Sequence, residues 1–114
     1  MKLSEAIREG AKLRPQCFGK LFAVTDHKIQ ATCAVGAAYE VLQGLPRIDT
    51  WGEVLISSQY LLGINEKVGV ITKGITHPET GDGHDDLYCV IESLNDNYRW
   101  SRERIANWLS EIGY

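Results

Sequence analysis

No stretch of this sequence approaches 18 consecutive apolar residues, so no helix able to cross a bilayer and no membrane partner are expected. Nor is a secretory leader expected, because Glu5, Arg8, Glu9 and Lys12 interrupt any apolar run near the start. Cys-x-x-Cys pairs are missing. Cys17, Cys33 and Cys89 form an odd, sparse set, which argues against a disulfide framework and fits reduced thiols in a cytoplasmic chain. Internal repeats and low-complexity tracts are also missing. With 44% hydrophobic and 24% charged residues, the composition lacks the signature of disorder. Strong positive charge is lacking as well. The net charge is −3, divided into +3 over residues 1–30 and −6 over the remainder. A nucleic-acid binder needs a basic face dense enough to release many counterions, so no nucleic-acid partner is expected.

What is present is enough apolar material for one core. A chain of 114 residues fits a single domain spanning 1–114. The scaling of surface with size predicts an accessible surface of about 6,300 Å² once folded.

Local signals outline the elements. Residues 3–13 place Ala6, Ile7, Gly10, Ala11 and Leu13 near a helical stripe, with Ser4 as N-cap and Pro15 as stop. Residues 25–28, Thr-Asp-His-Lys, read as the turn of a short hairpin leading back through Ile29. Thr32 is the expected cap of a second helix with Ala34, Ala38, Val41 and Leu42 on one face, ended by Gly44 and Pro46. Residues 50–53, Thr-Trp-Gly-Glu, match a capping box and predict a helix carrying Val54, Leu55, Leu61 and Leu62. Residues 68–72 read as a β-branched strand, and residues 76–86 as an exposed loop.

Leu87, Val90, Ile91 and Leu94 give the cleanest helical spacing, broken by Asn95, Asp96 and Asn97. Ser101 caps the last helix, with Trp100 before it and Ile105 within it as a hydrophobic staple. The expected fold is α+β: one helix-dominated domain of about five helices with a small β-hairpin or short strands.

Two patches carry a resemblance. The run Thr32-Cys-Ala-Val-Gly-Ala-Ala38, and Leu94-Asn-Asp96 followed by Trp100-Ser-Arg-Glu-Arg-Ile-Ala-Asn-Trp-Leu109, resemble small uncharacterised bacterial and phage proteins. Lys2-Leu-Ser-Glu-Ala-Ile-Arg8 resembles their start, and such chains also occur among integron gene-cassette proteins of the mobile metagenome. The resemblance implies a short cytosolic protein of mobile DNA and carries no activity with it. Some of those proteins have a central Cys-x-x-Cys pair. This chain has no cysteine between Cys33 and Cys89.

Five features bear on function. Cys33, as first residue of its helix, would sit where a helix N-terminus lowers a thiol pKa. With His27, His77 or His84 beside it, it would form a nucleophile and base pair. The competing role is a small packing residue, followed by Ala34, Gly36, Ala37 and Ala38 so that another backbone approaches closely. Residues 77–86 hold His77, Glu79, Asp82, His84, Asp85 and Asp86, but match neither the calcium-loop pattern nor His-x-x-x-His. A solvated loop in which Asp85 or Asp86 caps the next helix is the simpler reading, so neither metal nor cofactor is expected.

Asn95 and Asp96 with Arg99 make a candidate polar binding site, against a turn role in which Asn and Asp accept left-handed backbone. The helix at 101–112 is similar to the first helix of a helix-turn-helix, yet no recognition helix follows it before Tyr114. For Trp51, a place in the core is the default and an exposed partner surface the alternative.

These residues favour a non-catalytic protein-binding or adaptor module whose partner is another protein or a second copy of itself, as in a homodimer. The alternatives are a small thiol-dependent enzyme using Cys33 with a histidine, and a small-ligand-binding protein with a pocket between helices.

Overall fold

A computed structural model describes residues 1–69, 74–83 and 86–114. The elements follow in the order α1 (Leu3–Ala11), β1 (Phe22–Thr25), β2 (Lys28–Thr32), α2 (Ala34–Gln43), β3 (Arg47–Ile48), β4 (Val54–Leu55), α3 (Tyr60–Val68), α4 (Leu87–Asp96) and α5 (Arg102–Glu111). Among the described residues, five helices and two small antiparallel strand pairs make a small α+β domain. Its accessible surface of 6406 Å² matches the expectation from chain size.

The hairpin forms where the sequence places it. Asp26 (φ 53°) and His27 (φ 61°) both take the left-handed conformation, the pair a two-residue β-turn requires between twisted strands. Ala23 pairs with Ala31 and Val24 with Ile29, so Gln30 is the extra residue of a bulge. On the other edge of β2, Cys17 N–H donates to Thr32 O and Thr32 N–H donates to Pro15 O, both at 3.0 Å.

One apolar core joins the helices. Ile7, Ile64, Leu87, Ile91, Leu94, Ile105 and Leu109 are fully buried within it. α1 packs against both α2 and α5, and α4 also touches α5. The crossing of α1 with α2 is close because both meet at small residues. A Cβ on Gly10 would fall inside the Ala37 carbonyl, and one on Gly36 inside the Leu21 carbonyl. The small-residue run after Cys33 therefore does what it was expected to do, with α1 approaching at Ala37 and the Leu21 backbone at Gly36.

Several boundaries differ from the sequence reading. Ser4 is not a cap but a buried first-turn residue of α1, whose backbone N–H donates to Tyr114 O at 3.0 Å. Lys2 occupies the N-cap, with its N–H on Glu5 Oε1 at 3.0 Å. Thr32 ends β2, and Cys33 itself is the N-cap of α2, its Sγ accepting from Gly36 N–H at 3.4 Å.

The helix expected after residues 50–53 does not form there. Asp49 lies one residue ahead of Thr50 and takes the Trp51 and Glu53 amides on Oδ1, each at 2.8 Å. Gly52 adopts φ 83°, so these residues become the β3–β4 loop and α3 begins at Tyr60. Of the strand expected at 68–72, Val68 instead ends α3, and residues 70–72 lie outside the described residues.

Gly44 ends α2 as expected. Asp86 caps α4 by accepting from Tyr88 N–H at 2.9 Å and Cys89 N–H at 3.4 Å. Ser101 caps α5 through Arg104 N–H at 3.1 Å.

Candidate functional site

Cys33 is 5% exposed, and burial pushes its thiol up to about 12, outweighing the lowering by the Gly36 amide. The crevice beside it, about 130 Å³, is lined by Gly19, Lys20, Leu21, Glu92 and Asp96. Asp96 adds to the upward push. Among the described residues, Lys20 is the one basic residue in that lining, beside two carboxylates and no histidine, so burial prevails and the surroundings do not activate the thiol.

His27 and His77 are both engaged elsewhere. His27 Nε2–H donates to Thr50 O at 3.1 Å. His77 is buried, and its Nδ1 accepts from Glu79 N–H at 3.1 Å and Thr80 N–H at 3.3 Å. The proton is therefore on Nε2, which donates to Ser93 Oγ at 3.0 Å. His77 thus organises the loop it sits in and packs on Tyr98, with ring centroids 5.4 Å apart. That loop is not purely solvated: Glu79 Oε1 also accepts from Trp100 Nε1–H at 2.9 Å. His84 and Asp85 lie outside the described residues. Among the described residues, no group of three or more His, Cys, Asp and Glu side chains comes together around a metal position.

Asn95 is a correction to the turn reading. It lies inside α4, 1% exposed, and α4 runs through Asp96. Its Oδ1 accepts from Ala34 N–H at 3.1 Å and Gln16 Nε2–H at 2.7 Å. Its Nδ2–H donates to Cys17 O at 3.0 Å and to Asp96 Oδ1 at 2.8 Å. Each polar group is satisfied internally, so Asn95 ties α2 and residues 16–17 to α4. Asp96 also accepts from Gly19 N–H at 2.9 Å. The left-handed residue is Arg99 (φ 56°), and its guanidinium lies 4.1 Å from the centre of the Phe18 ring. The three residues serve the packing of residues 16–19 against α4.

Trp51 is the residue the structure sets apart. It is 86% exposed, against 7% for Trp100, so a core position is excluded. The loop that carries it is held by Asp49: besides the two side-chain bonds, Gly52 N–H donates to Asp49 O at 3.1 Å and Asp49 N–H to Glu53 O at 2.9 Å. The His27 bond to Thr50 O then braces this loop against the β1–β2 turn. Leu45, Leu55 and Leu62, also exposed, lie in the same part of the sequence.

Sequence reasoning missed Arg102, which is buried on α5 and donates to Thr32 Oγ1 at 2.8 Å and Arg14 O at 2.6 Å. Its neighbour Ser101 carried the only visible signal there, a cap. The larger pocket of about 510 Å³ lies between β2 and the segment leading into β3, not between helices. No family model, curated protein or solved structure matches the chain.

Proposed function

We propose that this protein acts by binding another protein and not by catalysis, and that the β3–β4 loop presenting Trp51 is its contact surface. The observation that carries the reading is a tryptophan left 86% exposed on a loop whose backbone is internally hydrogen-bonded. Burying so large an apolar side chain on a partner is strongly favourable, and tryptophan is over-represented among residues that dominate interface energies. Because Asp49 already orders the loop, little conformational entropy remains to be lost on binding. The raised thiol pKa of Cys33 and the internal engagement of His27 and His77 speak against the thiol-enzyme alternative.

A second copy of the chain is the simplest partner, since two-fold homodimers are the commonest assembly. A reduced, cytosolic setting on a mobile element accords with the buried Cys33 thiol, which is in no disulfide, and with the resemblance at 32–38 and 94–109. Among the described residues, no helix is long and apolar enough to cross a membrane.

The test is photo-crosslinking in cells that carry the gene, from a photoreactive side chain at Thr50. A discrete cross-link to one protein, itself or another, that disappears in Trp51→Ala supports the reading. The absence of any Trp51-dependent protein cross-link overturns it.

A further inference from the structure

We propose that the pocket between the β1–β2 turn and the segment entering β3 binds a small organic anion with an apolar body, such as a carboxylate on an aromatic ring. The pocket is an open groove of about 510 Å³, within the range that holds small ligands. Its lining combines apolar residues, Ile29, Leu45, Pro46 and Ile48, with the polar and basic residues Arg14, His27, Lys28 and Gln30. Among the described residues, no acidic side chain lines it.

Two of the polar groups, Arg14 and His27, are held in place before any ligand arrives, while Lys28 is exposed. Arg14 Nε–H reaches the two Glu40 carboxylate oxygens at 3.0 and 3.1 Å, while Nη1–H donates to Ile29 O at 2.8 Å. The His27 ring is fixed by its bond to Thr50 O. Glu40 offsets the charge of Arg14, so the uncompensated positive charge at the rim is that of Lys28, which is in no ion pair among the described residues. An anion gains from that charge, and the apolar lining residues reward a ligand with a hydrocarbon body over a bare inorganic ion.

The experiment is a two-dimensional NMR titration of the whole chain with three probes: 1-naphthoate, the uncharged 1-naphthalenemethanol and inorganic phosphate. Saturable shifts at the amides of residues 28–30 with naphthoate alone, weakened about tenfold in the exposed-site variant Lys28→Glu, are the expected result. Circular dichroism of Lys28→Glu verifies that the variant is folded. Equal binding of the alcohol, binding of phosphate with the same affinity, an unaltered affinity in Lys28→Glu, or no saturable shift with naphthoate would each overturn the proposal. The readout is on β2, so it stands or falls separately from the role of Trp51.

Discussion

Arg102 of α5 donates to the hydroxyl of Thr32 at the end of β2, 2.8 Å away, with no carboxylate paired to it among the described residues. Its remaining bonds go to backbone carbonyls: Thr32 O at 3.3 Å, Arg14 O at 2.6 Å and Ala11 O at 3.4 Å. Ala11 ends α1, so the guanidinium meets the negative end of that helix. One buried cation thereby joins α1, β2 and α5, and burial lowers its pKa.

Arg102→Ala strands those acceptors away from water, and we predict a loss of about 3 kcal/mol in urea unfolding. Arg102→Lys retains the charge but not the fork of donors, so it recovers only part of the loss. An alanine variant within about 0.5 kcal/mol of wild type would show that the bonds carry little stability.

Gly10→Ala and Gly36→Ala are predicted to destabilise the fold by at least about 1–3 kcal/mol each, because each new methyl meets a backbone carbonyl that has no free rotation to give way. Gly81→Ala, at a position with open space around it but φ 78°, isolates the cost of backbone strain alone. Thermal melts of the three variants compare the two effects directly. A Gly10 variant as stable as wild type would contradict the close crossing.

What the sequence disclosed and what it hid follow the range of the interaction. The Asp26-His27 turn, the Gly44 stop and the caps at Asp86 and Ser101 depend on residues within three or four positions, so they are legible from spacing alone. The box at residues 50–53 matched its pattern and still failed, because Asp49 offered its amides a better acceptor. Arg102 and Asn95 were hidden for a different reason. Their partners lie 70 and 61 residues away, and a charged or amide side chain reads as solvent-facing until such partners are known. Trp51 was misjudged by default, since composition favours burying a tryptophan and only the turn geometry turns it outward.

Cys33 provides a chemical test. With its pKa pushed to about 12, the native thiol is almost entirely protonated at neutral pH, so iodoacetamide should modify it far more slowly than the same residue in urea-unfolded chain. The raised value also sets a sign. Protonated Cys33 is compatible with folding and the thiolate is not, so this contribution is intact below the ordinary thiol pKa and is lost as pH rises towards about 12. Rapid, selective alkylation of native protein below pH 7 would contradict both statements.

Glu92 is raised from the usual carboxylate value, first by burial and then by Asp96 and Asp86. Ionised Glu92 therefore opposes folding, and stability falls as pH rises from the ordinary carboxylate value through the raised one. Glu92→Gln should be more stable than wild type at pH 7 and indistinguishable from it below the ordinary carboxylate pKa. Urea midpoints at the two pH values provide the check, and a destabilised glutamine variant at pH 7 would reverse the assigned sign.

The central claim concerns Trp51, and 19F NMR of protein labelled with 5-fluorotryptophan tests it most directly, since Trp100 and Trp108 serve as internal references. The Trp51 signal is assigned through Trp51→Phe. On raising the protein concentration, or on adding lysate of cells that carry the gene, the Trp51 resonance should shift or broaden while the buried Trp100 resonance keeps its position. The Trp51 response should be lost in Asp49→Ala, which releases the loop. A Trp51 signal that stays sharp and unshifted at every concentration and in lysate would contradict the binding role.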